Sequence, residues 1–207
     1  MMRLFAIILF LSTSLAFAGS DTTLTRHIPK QGVVELLMEY LEIRYPSTYI
    51  DGDLLYVSVH RQSMFHVRNG LLVKEYAIAT AKNGLGSEKD SYRTPTGMHR
   101  ISEKYGSGVP VNGIFRDRKF TGEIADLNGE DLDVITSRIL RLDGTEAGHN
   151  RGGDHDSHKR CIYIHGTANE ASIGKPSSRG CIRMRNADVI EIFDLVQIGT
   201  PVVILDN

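Results

Sequence analysis

Val33, Leu36, Leu37, Tyr40 and Leu41 recur at helical spacing, and Pro46 closes the run, which predicts an amphipathic helix over residues 32–44. From Leu54 the period drops to two. Leu55, Val57 and Val59 alternate with Tyr56, Ser58 and His60, and the strand-like runs 64–67 and 71–78 flank Asn69-Gly70. An Asn-Gly pair in that setting is a strong hairpin signal, because both residues accept a positive φ. Residues 82–97 are rich in Gly, Ser, Thr and charge and end in Thr94-Pro95-Thr96-Gly97, which predicts a surface loop and a tight turn before a short strand at 98–102. Residues 103–160 hold many glycines and few apolar runs apart from 133–142, a pattern of long connections around an irregular core. Near the end, Asn186 is expected as a helix N-cap, with Asp188 in the first turn and Val189, Ile190, Phe193 and Val196 as one apolar stripe. Gly199-Thr200-Pro201 then leads into a buried last strand, Val202 to Leu205.

The first residues follow a different rule. Arg3 precedes an apolar run to Leu15, broken only by Ser12, Thr13 and Ser14, and Ala16-Phe17-Ala18 follows. That pattern predicts a secretory signal peptide, residues 1–18, and an exported protein of the periplasm or cell envelope. The run is shorter than the ~20 residues a spanning helix needs, so no stable membrane span is expected. Residues 19–50 then form an N-terminal extension carrying the amphipathic helix, and 51–207 one main domain with its own core. The formal net charge is −1, with both signs interspersed, which argues against nucleic acid as a partner.

The chemistry concentrates in the last third. A cysteine nucleophile needs an activated thiol, a base, a partner that orients the base, and donors aimed at the oxyanion. His165 follows the strand-like run Ile162-Tyr163-Ile164 and precedes Gly166-Thr167. Cys181 comes sixteen positions later, behind a polar loop and Gly180. Gly180 lets the backbone approach a ligand, and its N–H and that of Cys181 can point at one oxygen. The other cysteine, Cys161, lies in an apolar run, and in an oxidising compartment a Cys161–Cys181 disulfide is the competing reading. His149, Asp154, His155, Asp156 and His158 crowd one segment, but their spacing matches no metal motif; no metal or cofactor is expected. Tyr92, Tyr105 and Tyr163 are candidates to line a groove, against the ordinary packing role of aromatic residues in sheets.

Ile164-His165-Gly166-Thr167, a loop, and Ser178-Arg179-Gly180-Cys181-Ile182-Arg183-Met184 together resemble the catalytic signature of the L,D-transpeptidase (YkuD-type) family. Arg61-Gln62, Asn69-Gly70, Lys82-Asn83-Gly84, Thr94-Pro95-Thr96-Gly97 and Gly199-Thr200-Pro201-Val202 extend the resemblance over residues 54–205. It implies a mainly β fold, an antiparallel β-sandwich with a few short helices besides the N-terminal one. It also implies a catalytic set in which Cys181 is acylated, His165 is the base, and the Gly166 carbonyl holds the imidazole tautomer. Gly180 and Cys181 N–H groups would form the oxyanion hole, and Arg183, Arg179, Thr167 and Ser178 would contact substrate. Arg179 stands where many members carry a second histidine; a permanent cation there favours a thiolate but cannot act as a base. The implied substrate is a peptidoglycan stem peptide, with an amine acceptor for cross-linking. Water as acceptor would instead make an L,D-carboxypeptidase. A non-catalytic wall-binding module with Cys181 tied to Cys161 is the alternative of another class.

Overall fold

A computed structural model describes residues 30–46, 52–128 and 132–207. The expected signal peptide lies outside the described residues. Helix α1 spans Lys30–Arg44, and ten strands follow: β1 Asp53–Ser58, β2 Ser63–Arg68, β3 Leu71–Ala79, β4 Gly97–Tyr105, β5 Gly113–Arg116, β6 Lys119–Ile124, β7 Ile135–Gly144, β8 Tyr163–Thr167, β9 Ile182–Met184 and β10 Pro201–Leu205. Helix α2, Asn186–Leu195, separates the last two. Among the described residues no helix is long and apolar enough to cross a membrane.

The fold is mainly β, as the family resemblance implies. The strands form one sheet in the order β4-β10-β1-β2-β3-β9-β8-β7-β5-β6, and an additional β4–β7 pairing closes it on itself. Most pairs are antiparallel, but β1–β10 and β8–β9 are parallel. Alternation and hairpin signals report local neighbours only, so these two long-range pairings are invisible in the sequence.

The Asn69-Gly70 turn takes positive φ at both residues, 52° and 73°, and joins β2 to β3 as a hairpin. Region 103–160 is more regular than its composition suggests. It holds the β5–β6 hairpin, which turns at Asp117-Arg118 with φ of 48° and 65°, and the ten-residue strand β7. Every residue of β6 is exposed, so the strand has no buried face to impose a period of two.

Two apolar clusters occupy the two sides of the sheet. Leu55, Val57, Ile78, Leu140, Ile164, Ile182, Met184 and Ile204 fill its interior together with Val189, Ile192 and Phe193 of α2. Leu54, Tyr56, Phe65, Val67 and Val203 face outward and are covered by Val33, Val34, Leu37 and Leu41 of α1. Both faces of β1 are therefore buried. The C-terminal helix departs from expectation at two positions: Ile192 rather than Ile190 reaches the core, and Asn186 makes no side-chain cap. Its carboxamide is buried instead, accepting from Thr136 and Ser137 hydroxyls at 2.6 Å each and donating to the Thr167 carbonyl at 2.9 Å.

Candidate active site

Strands β8 and β9 run parallel with Ile164 opposite Ile182, His165 opposite Arg183 and Gly166 opposite Met184. Ile164, Ile182 and Met184 point into the core. Side chains alternate along a strand, so Tyr163 and His165, with Cys181 and Arg183, share the opposite face. The sixteen-residue separation in sequence becomes adjacency across one strand pair.

His165 is only 4% exposed, and its Nδ1 lies 2.7 Å from the carbonyl oxygen of Gly166. A carbonyl accepts only, so Nδ1 carries the proton and Nε2 is left with its lone pair. Gly166 has no room for a side chain: a Cβ there would lie 2.6 Å from the Thr136 carbonyl oxygen and 2.7 Å from Asn186 Oδ1. Burial pulls the His165 pKa down to about 4, with Arg183 adding to the effect, while the Gly166 carbonyl and Asp133 oppose it. The imidazole is therefore neutral at pH 7.

Cys181 is partly buried, with its thiol 3.5 Å from the Cys161 carbonyl oxygen. Burial pushes the thiol up to about 11; the Tyr163 backbone N–H, Arg183 and Arg160 pull the other way, and Cys161 adds to the rise. The resting pair is thus thiol and neutral imidazole. The guanidinium of Arg179, expected to favour the thiolate, is turned to Asp133, 2.7 Å away.

The turn that presents Cys181 is held from several sides. Ser177 and Ser178 N–H groups donate to the Thr80 carbonyl at 2.8 and 2.9 Å. Thr94 Oγ1 donates to the Gly180 carbonyl at 3.0 Å and accepts from the Ala81 N–H. The Gly180–Cys181 peptide is trans, so the Cys181 N–H points away from Thr94. Gly180 sits at φ 124°, and a Cβ would come within 3.3 Å of the Arg93 carbonyl oxygen and Ile162 Cδ1. A side chain here would be strained and crowded.

Two expected substrate contacts face inward. Ser178 is buried; its hydroxyl donates to the Cys181 carbonyl at 2.5 Å and accepts from the Gly180 N–H at 3.2 Å. It therefore competes for one of the two donors expected at an oxyanion. Thr167 is also buried, its hydroxyl accepting from the Asn169 N–H. Both hold backbone, whereas Arg183 and Arg179 meet at Asp133, whose carboxylate joins the two.

A cleft of about 510 Å³ opens beside Ile162, lined by Tyr92, Asp154, Asp156, Lys159, Arg160 and Arg179. Arg160 ties its walls together, donating to the carbonyls of Arg93 at 2.7 Å and Gly86 at 3.3 Å. Tyr105 and Tyr163 pack instead in a small apolar cluster with Phe115, Ile139 and both cysteines. The cysteines are free thiols. Members of the acidic and histidine-rich segment turn to separate partners: His149 to Thr96, His158 to Glu103, and Asp156 to the Gly152 and Lys159 N–H groups. Among the described residues no three His, Cys, Asp or Glu side chains are grouped to hold a metal.

Asp133, Arg160, Thr94 and Asn186 carry no mark of the site in their side-chain type. Thr94 lies in a motif legible as a turn, and Asp133 borders an apolar run, but only the fold brings Thr94 to the Gly180 carbonyl and Asp133 to Arg179 and Arg183.

Fold and site together define a class: a β protein that sets a buried histidine and a cysteine on one face of two parallel strands. The profile of the L,D-transpeptidase catalytic domain family matches residues 52–204, and the chain belongs to that family. A Bacillus subtilis protein named as an L,D-transpeptidase, YkuD, is 63% identical over 46 residues, which are 22% of this chain and 28% of that protein. A Salmonella typhimurium protein named as an L,D-transpeptidase, ErfK/SrfK, is 49% identical over 48 residues, 23% of this chain and 16% of its own. The chain thus matches less than a third of the length of these curated relatives. A solved L,D-transpeptidase of Enterococcus faecium is similar at 20% identity with a TM-score of 0.46, over 75% of this chain and 50% of that one.

Proposed function

We propose that this protein is a peptidoglycan L,D-transpeptidase that works through an acyl-enzyme on Cys181. The observation that carries the reading is the placement of Cys181 and His165 on one face of adjacent parallel strands, with His165 Nδ1 held at 2.7 Å by the Gly166 carbonyl. In that tautomer Nε2 is the free base. The Cys181 sulfur attacks the carbonyl of an L,D-linked bond in a stem peptide as its proton passes to His165. The Cys181 N–H supports the developing oxyanion. Collapse expels the D-residue as an amine, which takes the proton back from His165, and leaves a thioester. An acceptor amine then attacks the thioester and restores the thiol.

Starting from a neutral thiol and a neutral imidazole, proton transfer accompanies attack and no resting ion pair is needed. Burial that disfavours both charged forms at rest also strengthens each dipole aimed at the transition state. The cleft is lined by Asp154, Asp156, Lys159, Arg160 and Arg179, side chains that carry water with them, and this supports hydrolysis, an L,D-carboxypeptidase reaction, as the second reading. The N-terminal signal pattern supports export to the periplasm or envelope, where stem peptides occur. Incubating the protein with tetrapeptide muropeptides and weighing the products separates the readings. Cross-linked dimers mean transfer, shortened monomers mean hydrolysis, and unchanged muropeptides would overturn both.

A further inference from the structure

Asp133 holds an unusual position between the two arginines that bracket Cys181. One of its carboxylate oxygens accepts from Arg183 and the other lies 2.7 Å from Arg179 Nη2. Arg183 is 8% exposed, and among the described residues its guanidinium donates a hydrogen bond to Asp133 alone. A nearly buried guanidinium must keep a carboxylate partner, because an unpaired charge there is costly. The side chain of Asp133 is nevertheless 48% exposed, that of Arg179 is 70% exposed, and Asp133 comes from the irregular stretch that precedes β7. Arg183 is thus a fixed cation that needs a carboxylate but not this one in particular: Asp133 sits at the solvent side, and its second pairing, to Arg179, is of the exposed kind that contributes little. That is an exchangeable carboxylate.

Arg183 lies two residues after Cys181 on the same face of its strand, ~6.6 Å along it. On the function proposed above, the residue expelled from a stem tetrapeptide is terminal, so its free carboxylate stands one residue beyond the attacked carbonyl. An arginine side chain and one amino acid span that separation between them. Two arginine forks also match the geometry of a carboxylate better than any other anion present in a peptide.

We propose that Arg179 and Arg183 form the seat for the terminal carboxylate of the substrate, and that Asp133 is an internal stand-in which the substrate must displace. This inference rests on the stem-peptide reading of the site. It makes Asp133 a specificity-determining residue: it weakens binding of every carboxylate ligand by competing for the same two guanidinium groups, and it does not compete with uncharged ligands. It also keeps one carboxylate beside Arg183 and His165 whether or not substrate is bound.

The test uses N-acetyl-L-alanyl-D-alanine and its C-terminal amide as probes, titrated calorimetrically into protein carrying Cys181→Ser to prevent turnover. Asp133→Asn is expected to tighten binding of the acid by about tenfold, the scale of one charge-assisted hydrogen bond, and to leave the amide unchanged. Arg179→Gln, at a side chain 70% exposed, is expected to cut the preference for acid over amide by about tenfold, Arg183 holding the remainder. A purely structural Asp133 would move acid and amide together. Such a parallel change, or unchanged or weaker acid binding in Asp133→Asn, overturns the inference. If the acid-selective tightening appears while muropeptides are left unchanged, the carboxylate seat stands and the transpeptidase reading falls. If muropeptides are processed and the tightening is absent, the seat alone falls.

Discussion

The face of β1 and β2 that looks away from the core lies under α1, whereas the corresponding face of β8 and β9 lies under charged loops. At the first, Leu54, Tyr56, Phe65 and Val67 meet Val33, Val34, Leu37 and Leu41. Tyr56 and Phe65 stack with ring centroids 5.3 Å apart, and among the described residues the buried members of this contact include no acid, base or histidine. At the second, His165 is removed from water and Cys181 partly so, yet their neighbours are Arg160, Arg183, Asp133 and a run of backbone donors and acceptors. One sheet thus carries an apolar seal and a polar site on two stretches of its surface. The seal gains free energy from apolar burial, and its one fully buried hydroxyl, that of Tyr56, is satisfied by donating to Asn207 Oδ1 at 2.5 Å. The site keeps ionisable groups in a poorly solvated place, which moves their pKa values away from the ordinary range and is how reactive groups are poised.

Substitutions should separate the two regions. Cys181→Ser is expected to lower acyl transfer at least about a thousandfold, because a hydroxyl is barely activated by a base adequate for a thiol, while the melting temperature stays near that of the native protein. His165→Ala should cost roughly 10²- to 10⁴-fold in turnover, the scale of one general base. Both are read in the muropeptide assay with a parallel melt.

Leu37→Ala is the converse experiment. Removing a buried side chain from the α1 seal is expected to destabilise by about 2–5 kcal/mol in a denaturant titration, with turnover at 25 °C within about twofold of native. A loss of turnover without loss of stability would mean that α1 belongs to the site.

Acid distinguishes the regions by titration. His165 and His99 are both buried, and both hold a pKa of about 4, below the ordinary 6.5. The folded-state pKa is depressed, so protons favour the unfolded chain: this stability is fully present above pH 6.5 and is lost as pH falls through 4. The melting temperature should therefore drop between pH 6.5 and 4, and His165→Asn should flatten part of that drop while Leu37→Ala leaves its shape alone. The smallest expected effect is that of Cys161→Ser. Its sulfur donates weakly to the Lys159 carbonyl at 3.8 Å and packs at the edge of the small Phe115, Ile139 and Tyr163 cluster, so turnover should change by less than about threefold.

The same contrast explains what was legible in the sequence. The seal announces itself through periodicity: α1, the β2–β3 hairpin and the alternating residues of β1 follow from spacing and from Asn69-Gly70. His165, Gly166, Gly180 and Cys181 were legible for another reason, as a constellation of residue types around a loop. Asp133 and Asn186 carried no such signal. Asn186 looks like a helix cap because a cap and a buried cross-link use the same carboxamide, and the choice depends on Thr136 and Ser137, which are 50 and 49 residues away. Asp133 reaches Arg179 and Arg183 only because β7 pairs with β8 and β8 with β9. The closure of the sheet through β4 and β7 and the full length of β7 were likewise beyond a local reading.

The most direct test of the account is the intact mass of the protein after brief exposure to a tetrapeptide stem, quenched in acid. The predicted result is a single added tripeptide acyl group, localised to Cys181 by peptide mapping and absent from both Cys181→Ser and His165→Ala. An adduct on Cys161, an adduct that persists in Cys181→Ser, or turnover with no thioester at any time point would contradict it.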